Sequence, residues 1–440
     1  MKRLGLTLIF IIVISSGVLY AADRGSLGFL YGNSDQFELV ERTNGAINQV
    51  SPTWFDITTN GNLKISSDLD VTFIKQMKDM NIKVTPFLSN HWNRSKGRAA
   101  IENSEKLAQQ ISDAIIKYEL DGINVDIENL TLKDKEGLNN FVKILREKLP
   151  ENKLLTVSVA ANPYGVDGGW QGSYDYATLG EISDYLFIMA YDEHSQGGSC
   201  GPVASIEFVE NSIKYALENV NKDKVVLGIP LYGRFWSEND KRAGEAVVIG
   251  DVPRLISRFK GIVEYDKNIK QPCVKFRIDE NTVSTKVNGK ILEPGEYIIW
   301  YENEESITAK LDLVNKYDLL GAGVWALGQE KTDVWEYYYE KLNEIPYKEE
   351  EIIRKEETYA SFMNAKKQER ISIRIESKIN TNIDFLEVFE KNNKTRLVEN
   401  ISKREKISHR KIHEKVLISN EKIVEKLLAL NKRNYLVRRY

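Results

Sequence analysis

Short apolar runs rich in β-branched residues alternate along the chain with longer stretches in which apolar positions recur every third or fourth residue. Eight of the short runs read as strands: Leu27–Tyr31, Gln49–Trp54, Lys83–Leu88, Gly122–Ile127, Leu154–Ala160, Tyr185–Ala190, Val225–Ile229 and Gly323–Leu327. Between them lie helical patterns. Leu107, Ile111, Ala114, Ile115 and Tyr118 form one stripe, and Ile307, Leu311 and Val314 form another that is expected to end near Gly321. Strands apolar on both faces and separated by helices imply a parallel sheet with helical crossovers. Eight such units over roughly 320 residues fit a closed (β/α)8 TIM barrel, an α/β fold. An open doubly wound sheet is the competing arrangement, but no G-x-G-x-x-G follows the first run.

The seventh and eighth strands are too far apart for one connecting helix. Within 235–301 lie the strand patterns Val274–Ile278, Thr282–Val287 and Tyr297–Trp300, with Asn288-Gly289 as a hairpin turn. They predict a small α+β insertion on the barrel rim, either a decorative loop or one wall of a substrate groove. At the N-terminus, Met1-Lys2-Arg3 precedes a short apolar run, and small residues follow at Ala21-Ala22. Residues 1–22 therefore read as a secretory signal peptide, with an uncleaved anchor as the alternative. Either places the body, 23–346, outside the cytoplasmic membrane, secreted or in the cell envelope.

Past Pro346 the chain becomes charge-rich and glycine-free. Residues 347–440 form an extension in which Ile412, Val416, Ile423, Leu427 and Leu430 keep helical spacing. From Lys348 onward there are 23 Lys and Arg against 15 Asp and Glu, which leaves 38 against 49 before it. An acidic body thus carries a basic tail, which reads either as a solvated surface or as a contact for anionic wall polymer or lipid headgroups. The overall net charge of −3 argues against a chain built to coat nucleic acid. Hydrophobic residues make up 42% of the 440, enough for a sizeable core. Two cysteines, Cys200 and Cys273, exclude a disulfide-dense scaffold, and the sequence leaves open whether they pair. His91, His194, His409 and His413 are too scattered for a metal site, so no metal is expected. A monomer is expected.

The chemistry concentrates in Asp121-Gly122-Ile123-Asn124-Val125-Asp126-Ile127-Glu128. Alternate side chains on a strand share a face, so Asn124, Asp126 and Glu128 point one way and Ile123, Val125 and Ile127 the other. Carboxylates at the C-terminal end of a barrel strand oppose folding unless they are used, and this is the end where barrels do chemistry. Two neighbouring carboxyls disfavour double ionisation, which keeps one protonated. Glu128 is then a general acid and Asp126 a supporting carboxylate, the pairing that glycosidic cleavage requires. A structural acidic strand end or a divalent metal site is the alternative reading, although metal sites gather ligands from several elements.

This segment resembles the fourth-strand signature of glycoside hydrolase family 18, D-G-x-D-x-D-x-E. Five further stretches resemble that family in order. They are Ser51-Pro52-Thr53-Trp54-Phe55, Pro86-Phe87-Leu88-Ser89-Asn90, Met189-Ala190-Tyr191-Asp192-Glu193-His194, Gly228-Ile229-Pro230-Leu231-Tyr232-Gly233-Arg234 and Gly323-Val324-Trp325-Ala326-Leu327-Gly328. The resemblance implies retaining, substrate-assisted hydrolysis, in which the acetamido oxygen of the sugar attacks its own anomeric carbon. It implies that Glu128 is the acid and then the base, that Asp126 braces the acetamido group and that Tyr191 donates a hydrogen bond to it. Asn124, Met189, Asp192, Tyr232 and Arg234 are implied to line the cleft, and Trp325 to floor it. No cofactor is implied. The substrate implied is a polysaccharide containing N-acetylglucosamine, peptidoglycan or chitin, cut at β-1,4 bonds. One departure stands out: Asn124 replaces the family's middle aspartate, so an amide must supply its hydrogen bond to Asp126. Asparagine here resembles the branch of bacterial spore-cortex and cell-wall N-acetylglucosaminidases. The rival readings are a non-catalytic, lectin-like barrel and an endo-acting enzyme on N-linked glycans. Non-catalytic members typically lose the glutamate, and Glu128 is present.

Overall fold

Eight parallel strands form the ring that the alternating pattern predicts, in a computed structural model that describes residues 24–32, 35–237, 244–283 and 285–343. The expected signal and the basic extension, with His409 and His413, lie outside these residues. The first strand is Gly25–Leu30. The second is Gln49–Pro52, resuming as Phe55–Ile57, and the third is Lys83–Val84, resuming as Phe87–Ser89. The fourth to eighth are Gly122–Asp126, Leu154–Ala160, Tyr185–Met189, Val225–Pro230 and Gly321–Leu327. Each pairs in parallel with the next. The eighth returns to the first, with Gly321 opposite Gly25. The alternation therefore gave the right architecture.

The helices pack outside. Helix Ser104–Lys117 buries Leu107, Ile111, Ala114 and Ile115 against the sheet, as their spacing requires. Each large side chain so buried is worth roughly 1.5–3 kcal/mol. Helix Glu304–Lys316 starts at a capping box: Asn303 accepts from the Ser306 amide, and the Ser306 hydroxyl accepts from the Asn303 amide. It stops at Lys316, earlier than its expected end near Gly321, because that glycine opens the eighth strand. A Cβ on Gly321 would lie 1.9 Å from the Gly25 carbonyl oxygen.

Inside the ring, Leu27, Phe29, Phe87, Tyr185, Phe187, Met189 and Val226 form a separate apolar plug. Gly228 makes room for it, since a Cβ there would approach the Phe187 ring to 2.8 Å. Beside the plug run polar layers. Gln49 donates to Thr85 at 2.7 Å, Asn124 donates to Thr156 at 2.9 Å, and Ser158 donates to Asn124 at 2.8 Å.

The insertion begins at Tyr232, three residues before its expected edge. Strand Tyr232–Ser237 leaves the barrel and pairs with Glu245–Val248 and Gly295–Trp300, and the sheet continues through Gln271–Ile278 to Ile262–Asp266. Its core is Phe235, Val274, Phe276, Tyr297 and Ile299, with helix Val252–Phe259 laid across it. The Asn288-Gly289 turn closes a hairpin of Thr285–Val287 with Lys290–Leu292, both turn residues having positive φ. Strand Ile262–Asp266 escaped the sequence pattern because Ile262 and Val263 are exposed. Cys200 and Cys273 are unbonded thiols that line one groove beside Trp300.

Candidate active site

The C-terminal ends of the strands surround a cleft of about 350 Å³. Asp126 ends the fourth strand and Glu128 lies two residues on, and both line the cleft. Ile123, Val125 and Ile127 sit in the outer core, so the expected two-faced alternation holds. Met189 comes from the end of the sixth strand, with Tyr191 and Asp192 just beyond. Tyr232 and Arg234 come from the first strand of the insertion, and Trp325 from the eighth barrel strand. All eight of these expected residues meet in one cavity.

Asn124 does not join them. It is fully buried one layer below, with its amide committed to Thr156 and Ser158. Sequence reasoning had assigned it to the cleft lining and to a hydrogen bond with Asp126. Its position two residues earlier on an inward-pointing strand face puts it deeper in the ring instead. Oδ1 of Asp126 accepts no hydrogen bond among the described residues. A buried carboxylate oxygen without a donor is costly to ionise.

Burial accordingly raises the Asp126 carboxyl to about 7. Glu128 is held well above the ordinary glutamate range, first by burial, then by the charges of Asp126 and Asp192. Glu128 thus keeps its proton to higher pH than an ordinary glutamate. Burial, reinforced by the same carboxylates, also holds the Tyr191 phenol well above its usual value. It stays a donor.

One loop aims Glu128. The side chain of Asn90, just after the third strand, accepts from the Glu128 amide at 2.9 Å and donates to the Glu128 carbonyl at 2.8 Å. Asn129 donates to the Trp92 carbonyl at 2.8 Å, which fixes the same turn from the other side. On the opposite wall, Asp192 accepts from Nε and Nη2 of Arg234 at 2.8 and 2.7 Å, and from the Tyr232 hydroxyl. Phe29 and Phe87 pack on Trp325 at 5.2 and 5.8 Å. Its indole presents a flat apolar floor.

Sequence reasoning missed Ser158, Trp92, Asn288, Gln329 and the strand edge Ala246–Val248 as cleft residues. Trp92 and Gln329 lay just past resembling stretches, and Asn288 was in the expected turn of the insertion. Tyr232, Arg234, Ala246–Val248 and Asn288 of the insertion line the cleft. Among the described residues no group of three or more His, Cys, Asp or Glu could hold a metal ion.

The model of glycosyl hydrolases family 18 matches residues 31–330. The chain belongs to glycosyl hydrolases family 18. By family it is a glycosidase. It is 26% identical over 321 residues to the glycosylase YvbX of Bacillus subtilis, covering 70% of this chain and 89% of that one. It is 27% identical over 252 residues to the cortical fragment-lytic enzyme of the same organism, spanning only 54% of that protein's length and 54% of its own. Among solved structures, a chitinase from Chromobacterium violaceum superposes with a TM-score of 0.65 at 25% identity, covering 72% of this chain and 99% of that one.

Proposed function

We propose that the protein is an exported hydrolase that cleaves β-1,4 bonds next to N-acetylglucosamine in peptidoglycan or chitin, with retention of configuration. The observation that carries this reading is that Glu128, its carboxyl held well above the ordinary glutamate range by burial and neighbouring carboxylates, shares the cleft with a buried Asp126 whose Oδ1 lacks a donor among the described residues. In the proposed cycle Glu128 gives its proton to the glycosidic oxygen. Asp126, two residues back on the same strand face, accepts the N–H of the sugar's acetamido group. That group's oxygen then attacks the anomeric carbon, and the Tyr191 hydroxyl supports it. Trp325 lies under the ring and water enters after the leaving sugar has gone, with Glu128 now the base.

The similarity to an uncharacterized glycosylase, a cortical fragment-lytic enzyme and a chitinase supports this reaction class. The apolar run after Met1-Lys2-Arg3 supports export, and the basic tail is a candidate contact for anionic wall polymer or lipid headgroups. The decisive experiment is incubation of the full chain with chitin oligomers and with purified peptidoglycan side by side, read by mass spectrometry. New reducing ends with β-configured N-acetylglucosamine are expected. Binding without release of reducing sugar from any acetamido glycan would favour a lectin-like barrel.

A further inference from the structure

The residues just outside Glu128 bear on which glycan is taken. Because Glu128 protonates the departing oxygen, the departing sugar must lie against the outer side of its carboxyl. The loop 90–94 runs beside Glu128, with Asn90 holding its backbone and Trp92 lining the cleft. Trp92 is 50% exposed and meets Trp170 edge-to-face at 4.9 Å. Arg94 donates through Nε to the Asn129 carbonyl and through Nη2 to the Asn129 side chain, both at 2.7 Å. Its guanidinium is thereby pinned one residue beyond the acid, and its side chain stays exposed. Nη1 makes no hydrogen bond among the described residues.

The contrast with Arg234 is informative. Arg234 spends Nε and Nη2 on Asp192 and Nη1 on the Gly244 carbonyl at 2.6 Å, so its charge and its donors are used inside the protein. Arg94 has no carboxylate partner among the described residues and keeps donors to spare. A fixed guanidinium with a free edge suits a carboxylate. Chitin offers none. Glycans of bacterial wall offer the lactyl group on the 3-oxygen of N-acetylmuramic acid, the sugar that leaves when the bond after N-acetylglucosamine is cut.

Building on the hydrolase reading above, we propose that Arg94, beside the Trp92 platform, selects a departing sugar that carries a free carboxylate, that of N-acetylmuramic acid. In intact wall that carboxyl is capped by the stem peptide through an amide. The preferred substrate is therefore glycan from which an amide-cleaving reaction has already removed the peptide.

The test compares kcat/KM of the full chain on three soluble glycans of equal length: peptide-free wall glycan, its carboxyl methyl ester, and a chitooligosaccharide. Wild type is expected to prefer the free acid over its ester. That ratio should fall about tenfold in Arg94→Gln, the size expected for one charge-assisted contact at a partly open site, and recover only in part in Arg94→Lys, which restores the charge but not the pinned fork. A ratio cancels any general loss of activity from a displaced loop. An acid-to-ester ratio that is near one in wild type, or unchanged in Arg94→Gln, overturns the assignment. Cleavage of chitooligosaccharide without cleavage of wall glycan leaves the hydrolase reading standing and removes this one. Silence on all three glycans removes both.

Discussion

Glu128 works because its neighbours deny it ionisation. Burial and two nearby carboxylates lift it well above the ordinary range, so it gives up its proton further to the alkaline side than an ordinary glutamate. The kcat/KM profile should therefore fall on that side, and an activity still climbing above about pH 9 would contradict the assigned acid. Glu128→Gln should lower turnover by about 100-fold to 10,000-fold while glycan binding persists. Asp126 makes a separate thermodynamic prediction. Its carboxyl is raised to about 7 in the folded protein, so the folded state holds the proton more tightly than the unfolded state. Stability is then highest below the unfolded value and declines as pH rises through about 7. In Asp126→Asn that decline should shrink, seen as a smaller Tm loss between pH 5 and pH 8. An identical loss in variant and wild type would sink the claim.

Among the elements, the loop after the third strand aims the acid without touching it. Asn90 holds both backbone polar groups of Glu128. Asn90→Ala should cost about 10-fold to 100-fold in kcat/KM, since small displacements of a reacting group are expensive. A purely structural role would leave the pH profile alone, whereas a loosened Glu128 should shift its alkaline limb; titrating activity distinguishes the two. This clamp illustrates what the sequence concealed. The strands were legible because each is a short apolar run set between longer helical patterns, and the fourth announced its carboxylates through inward alternation. Asn90 was visible only as part of a resembling stretch, because its partner is a backbone 38 residues away. Asn124 was misread by depth: alternation tells which way a side chain points, not how far down the ring it sits. Ala246–Val248 had no signal at all, for a short strand edge contributes backbone as much as side chains.

At the level of the whole molecule, three apolar clusters among the described residues divide the labour: one between ring and helices, one inside the ring, one in the insertion. A buried polar knot ties the insertion to the barrel. Glu302 and Lys310 are both fully buried, 2.9 Å apart, with Ser306 and Gln271 also donating to the glutamate. Burial raises the Glu302 carboxyl despite Lys310. Lys310→Met alone should destabilise by about 3–5 kcal/mol by stranding that carboxylate. The double variant with Glu302→Gln should regain much of it in denaturant titrations, and equal losses in both would contradict the account. A second tie is Asp192, which stands on the barrel but is gripped by Tyr232 and Arg234 from the insertion. Anyone exchanging the insertion for that of a cousin, to retune which sugars fit, must therefore transplant the tyrosine and arginine with it. A graft lacking them would leave the sixth-strand loop, and the phenol of Tyr191 that it carries, without its anchor.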